Sequence, residues 1–166
     1  MKYSEARQGR TFVLRLEHGE TVHEQIEAFA RAQSIKAAVV VILGGAASGS
    51  MLIAGTEGEQ RVPLVPKRHV LTGVHDAMGT GTIFPDEAGN PVLHMHLGCG
   101  RGGGSATGCI REGVKVWLVM EAVVMELVQT GATRILDEVT GLKLLQPRGN
   151  SASHMPEADK PKSGEK

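Results

Sequence analysis

The stretch PVLHMHLGCGRGGGSATGCI, Pro91–Ile110, decides how this chain folds. It opens with PVLHMHL (91–97), which alternates like a strand. GCGRGGGS (98–105) follows as a glycine-rich loop, and ATGCIRE (106–112) reads as a returning strand. In a strand, residues i and i+2 share a face, so His94 and His96 project together, with Cα atoms about 6–7 Å apart. If His96 lies opposite Cys109, the turn centres between Gly102 and Gly103, the middle of the glycine run. That register also places Cys109 on the histidine face, whereas a slip of one residue would send it to the other. Two imidazoles and a thiolate suit Zn²⁺ or another divalent transition metal, with a fourth position left for water, a side chain or a ligand. Cys99 falls in the loop and is the weaker of the two cysteines as a ligand. His75 and Glu121 are candidates for a fourth ligand or for groups that support the ligands. The bland alternative is a polar strand face with Cys109 as a small buried hydrophobe.

Outward from this hairpin, most segments have strand character. TFVLRLEHG (11–19) alternates, KAAVVVIL (36–43) is a buried strand, and SGSMLIAG (48–55) is the next. RVPLVPKRHVL (61–71) is extended with two prolines, and GVHDAMGTGTIFP (73–85) is expected to be bent or bulged because glycines interrupt it. VKVWLVMEAVVMELV (114–128) is apolar on both faces, and its valines and tryptophan favour a long central strand over a helix. TRILDE and GLKLL resemble a small hairpin. One helix is legible, ETVHEQIEAFARAQSI (20–35), with Ile26, Phe29 and Ala30 as its stripe. Thr21 and Glu24 suggest a capping box. The pattern is an α+β fold: a central, mainly antiparallel sheet with a few flanking helices. It forms one domain over 1–146, followed by a polar tail over 147–166 expected to be disordered.

Composition narrows the function. The 18 Lys+Arg balance the 18 Asp+Glu, so no strongly basic face for nucleic acid is evident. Aromatic residues make up 3%, too few for stacking on bases as a main mode of binding. No apolar run reaches the roughly 18 residues of a membrane span. The absence of an apolar leader near MKYSEARQGR and the two cysteines fit a reducing cytoplasm. GCGRGGGS does not match the phosphate-binding pattern G-x-x-x-x-G-K-[ST], and no G-x-S-x-G nucleophile elbow occurs. Glu121, inside VWLVMEAVVM, needs a partner such as Arg101 or Arg111, or an edge position.

The order of these features resembles the PPC domain, shared by plants and prokaryotes. A Val/Ala-rich strand with a small-residue strand after it leads to GTI, LHMHLGC, a glycine loop, TGCIREG and VKVWLVMEAVV, together covering about residues 10–137. The resemblance implies a stand-alone prokaryotic member: an α+β domain that assembles as a homotrimer and carries a DNA-binding or regulatory label. It also implies a zinc triad, with His94 and His96 at the family's H-x-H and Cys109 where the family places a third histidine. Cysteine there keeps a zinc-competent ligand. The minor-groove segment of the plant proteins, Arg-Gly-Arg-Pro, is absent. The plant partner-recruiting motif, Gly-Arg-Phe-Glu-Ile-Leu, is not reproduced near LTGVHDA (71–77).

Three functions compete at this level. The first is a homotrimeric, DNA-binding or regulatory module with a zinc-type site at His94, His96 and Cys109. The second is a metal-dependent hydrolase or isomerase acting on a small molecule, with Glu121 or His75 as base. The third is an oligomeric scaffold without bound metal, its histidines lining a subunit interface.

Overall fold

The computed structural model describes residues 1–58 and 64–148. Ten strands and one helix follow in chain order: β1 (Arg7–Glu17), α1 (Val22–Ala32), β2 (Ala38–Ala46), β3 (Met51–Thr56), β4 (Pro66–Val70), β5 (His75–Pro85), β6 (Pro91–Arg101), β7 (Gly104–Cys109), β8 (Val116–Val128), β9 (Thr133–Leu136) and β10 (Lys143–Gln146). Eight strands form one antiparallel sheet in the order β1-β8-β2-β5-β6-β7-β3-β4, and β9 and β10 make a separate hairpin. The α+β class, with a mainly antiparallel sheet, is as read from the pattern; one helix accompanies it among the described residues. Except for Pro147 and Arg148, the tail expected to be disordered lies outside the described residues.

Alternation explains the core. On β6, Leu93, Met95, Leu97 and Cys99 point inward and are buried, while His94 and His96 point outward. The inner face meets α1 through Val22, Ile26 and Ala30, all fully buried. Burying a valine or isoleucine in this way contributes about 1.5–3 kcal/mol each. Glu27 of the same helix accepts a hydrogen bond from the Leu93 backbone at 2.9 Å and so holds β6 just before His94. The long apolar segment is strand β8, lying between β1 and β2; Val116, Met120, Ala122 and Val124 are buried, while Val123 stays exposed on the outer face.

The outer face has a clear register. Val13, Val123, Val41, Thr80, His96 and Cys109 form one row of direct cross-strand neighbours over β1, β8, β2, β5, β6 and β7. Beside it run Arg15, Glu121, Leu43, Met78, Gly98 and Thr107. Direct neighbours share a face. Val13, Val41, Leu43, Met78 and Val123 are therefore on the same side as the histidines, and all are exposed.

Three local expectations need correction. GCGRGGGS is not a loop: Gly98–Arg101 continue β6, Gly104 and Ser105 begin β7, and only Gly102 and Gly103 turn. Both turn residues have positive φ, 54° and 83°, which a two-residue hairpin turn demands and glycine supplies. β5 is not bulged, since its register with β2 and β6 runs unbroken. Its glycines serve close packing instead. A Cβ on Gly79 would collide with the His96 carbonyl and approach Leu97 Cδ2 to 2.7 Å, and one on Gly81 would approach Met95 Cβ to 2.6 Å. Nor does Thr21 cap α1 with its side chain; it forms a bridge with Lys115, and the Val22 amide donates to Val114 O at 2.9 Å.

The glycine packing can be tested directly. Gly79→Ala should cost about 2 kcal/mol or more in urea unfolding, because β6 must shift to accept the methyl. Gly100→Ala, with open space around it, should stay within about 0.5 kcal/mol of the parent. Equal effects at the two positions would contradict this packing.

Candidate metal centre

The hairpin brings three ligand-type atoms together from two strands. His96 lies directly opposite Cys109, and Arg101 opposite Gly104, so the turn centres on Gly102 and Gly103. The imidazole nitrogens of His94 and His96 and the Cys109 sulfur all lie within 4.8 Å of one another. His94 Nε2 and His96 Nε2 are 3.2 Å apart. Two nitrogens held at about 2.0–2.1 Å from one tetrahedral zinc would be separated by roughly 3.3 Å, so the pair is spaced to chelate. Both imidazoles are exposed and Cys109 is half-buried, which leaves a side from which a fourth ligand can approach.

The electrostatics favour a neutral His94. Its pKa is pushed down to about 4, first by the partial desolvation of a ring that neighbouring side chains crowd on one side, then by the positive charges of Arg134, His96 and Arg111. A neutral imidazole has the free lone pair that a metal requires.

Arg134 is the residue that the sequence pattern did not single out. It is 3% exposed. Its Nη2 donates to Thr82 Oγ1 at 2.9 Å and to Thr82 O at 3.3 Å, and its Nε donates to Val92 O at 3.4 Å. Thr82 is the cross-strand neighbour of His94. The guanidinium thus sits beside the first ligand, clasping β5 and β6 from the β9–β10 hairpin. A charged residue at a buried strand position, next to Ala132 in the alternation, was the available signal. Arg111, two residues past Cys109, lies exposed in the turn that follows β7, and its charge acts on His94.

Two other candidates stand elsewhere. Glu121 is exposed on β8, which is separated from β6 by β2 and β5. Three strand spacings amount to about 14 Å. Its cross-strand neighbours are Arg15 and Leu43, not Arg101 or Arg111. His75 begins β5, five residues from Thr80, the partner of His96, or about 16 Å along the strand. Its Nδ1 lies 3.1 Å from Gly73 O. It lines a separate cavity of about 410 Å³ with His69, Thr72, Arg101 and Ser105. Neither residue joins the triad within one chain. Cys99 points into the core on the opposite face, fully buried, and burial raises its thiol pKa.

Comparison with known proteins agrees with this fold. A profile of the Plants and Prokaryotes Conserved (PCC) domain matches residues 3–128. The chain belongs to this family. A metal-containing protein from Archaeoglobus fulgidus is 27% identical, with a TM-score of 0.75 over 88% of this chain and 99% of the other. A plant- and prokaryote-conserved protein from Pyrococcus horikoshii is 20% identical, with a TM-score of 0.73 over 88% and 99%. A protein from Ralstonia eutropha with a suggested DNA-binding role is 22% identical, with a TM-score of 0.64 over 85% and 94%. Among functionally curated proteins none matches the chain significantly. No helix among the described residues is long and apolar enough to cross a membrane.

The depressed His94 pKa has a consequence in metal-free protein. The unfolded imidazole gains its proton near the ordinary value of 6.5, the folded one only near 4. The unfolded chain therefore binds more protons between these values. The contribution of His94 to stability is present above pH 6.5 and is lost as pH falls toward 4. An NMR titration of the His94 ring should show a midpoint far below 6.5, and a midpoint at the ordinary value would contradict the burial and charge described here.

Proposed function

We propose that this protein is a homotrimeric binding module that holds one zinc-type ion per chain at His94, His96 and Cys109. The convergence of three metal-competent atoms within 4.8 Å, from two strands with a fixed register, carries the reading. The donor set fits Zn²⁺: two borderline nitrogens and one soft sulfur, with a fourth position unfilled by any His, Cys, Asp or Glu among the described residues. Zinc bound there would act as a Lewis acid toward whatever takes that position. The similarity to the metal-containing Archaeoglobus protein supports the reading.

The trimer rests on the outer face. Val13 is 83% exposed and Met78 68% exposed, and they share one sheet face with Val41, Leu43 and Val123. An apolar patch of this kind on a single chain marks a surface that another protein covers. Copies of this chain are the occupant implied by the family, and the metal triad lies on the same face. Two free cysteines suit a reducing compartment such as the cytoplasm. A DNA-binding or regulatory role rests on the relatives alone, since the balanced charge supplies no phosphate-neutralising excess. The hydrolase or isomerase reading has less support within one chain, where Glu121 and His75 stand far from the triad.

Native mass spectrometry reads both claims at once. Protein purified with zinc should appear as a trimer carrying about three ions, one for each three-ligand site. His96→Ala combined with Cys109→Ala should lose nearly all metal while folding normally. Met78→Lys should shift the population toward monomer. A monomeric parent, or full zinc retention in the double variant, would refute the corresponding half.

A further inference from the structure

We propose that the fourth position at the triad is built for a small oxyanion, a carboxylate or phosphate group, recruited by Arg134 with help from Arg111. This rests on the metal reading and adds the chemical class of the ligand.

Arg134 carries a charge that no acid of the chain offsets among the described residues. Arg134 is almost wholly buried, yet its hydrogen-bond partners are all neutral: Thr82 Oγ1, Thr82 O and Val92 O. No carboxylate forms a salt bridge with Arg134 or Arg111 among the described residues. The acids of the neighbouring β5–β6 turn are committed elsewhere. Asp86 pairs with Lys143 at 3.1 Å, and Glu87 accepts from the Leu136 amide at 3.0 Å. A buried cation without a counter-charge is costly, so its retention calls for an anion.

Metal binding enlarges the imbalance. Two neutral imidazoles and one thiolate leave a divalent ion with a net charge of about +1. Cys109, as the thiolate ligand, would be the one anionic member of the triad, and the metal would consume its charge. With the Arg134 guanidinium on Thr82 beside His94, and the charge of Arg111 also acting on His94, the site would be a small positive cluster on a sheet face where His94 and His96 are open to approach. Water at the fourth position would satisfy coordination but not charge. An oxyanion would do both, placing one oxygen on the metal and another toward the arginines, which favour carboxylates and phosphates. Position supports this division of labour: Arg134 bonds Thr82, which faces His94 across β5 and β6.

The test uses the full-length protein loaded with Co²⁺, whose visible absorption reports changes in coordination. Metal content is measured first by elemental analysis. Acetate and inorganic phosphate are titrated separately, with acetamide as the uncharged counterpart of acetate. A saturable spectral change with acetate, phosphate or both, and none with acetamide at the same concentration, is the expected result; which anion acts identifies the class. Arg134→Gln should weaken binding by about tenfold or more, the effect of losing a charge-assisted contact. Arg111→Gln, at an exposed position, should fold normally and weaken binding by a smaller factor. If Arg134→Gln does not fold, the Arg111 variant and the acetamide comparison decide. A protein that takes up no cobalt refutes the metal reading and this inference with it. A loaded protein that ignores both anions, or responds equally to acetamide, overturns the oxyanion alone.

Discussion

The register of β6 against β7 is the constraint on which the rest of this molecule depends. A two-residue turn at Gly102–Gly103 pairs His96 with Cys109 and fixes which side chains face outward. Strand side chains alternate, so a slip of one residue would turn the Cys109 sulfur into the core and bring Gly108 or Ile110 to the histidine face. The register is enforced from several sides. Leu93, Met95, Leu97 and Cys99 must all reach the core together. Gly79 and Gly81 let β5 lie so close that the histidine-bearing strand has little room to shift. Glu27 holds the Leu93 amide beyond the end of β7.

That constraint also links the site to assembly. The row that contains His96 and Cys109 runs on through Thr80 to Val41, Val123 and Val13. A single sheet face therefore carries both the ligand-type atoms and the exposed apolar residues. A partner that covered the apolar part would lie next to the histidines and change their solvation. Metal content and oligomeric state are thus expected to be coupled in this protein, since burial of a charged centre alters its affinity for ligands.

Local pattern made much of this legible. The alternation of 91–97, the glycine run and the cysteine at 109 located the hairpin, its turn and the three converging residues. What escaped were features that depend on long-range contact. Glycines in 73–85 suggested a bulge because the sequence does not show that β6 packs against them. The glycines of 98–105 suggested a loop, although Leu97 and Cys99 continue the inward alternation. Glu121 and His75 are as plausible in composition as the true neighbours. The strand order β8-β2-β5-β6 puts Glu121 three strands away, and strand direction puts His75 at the far end of β5. Arg134 went unrecognised for the same reason: its partners, Thr82 and Val92, lie 52 and 42 residues away in sequence.

The central claim is that His94, His96 and Cys109 hold one metal together. Extended X-ray absorption fine structure at the zinc edge tests it most directly, because nitrogen and sulfur scatter at distinct distances. A zinc held by this triad shows two imidazole nitrogens at about 2.0–2.1 Å, one sulfur at about 2.3 Å and one further light atom. A spectrum without sulfur, or with a six-coordinate shell of oxygen and nitrogen alone, would contradict it.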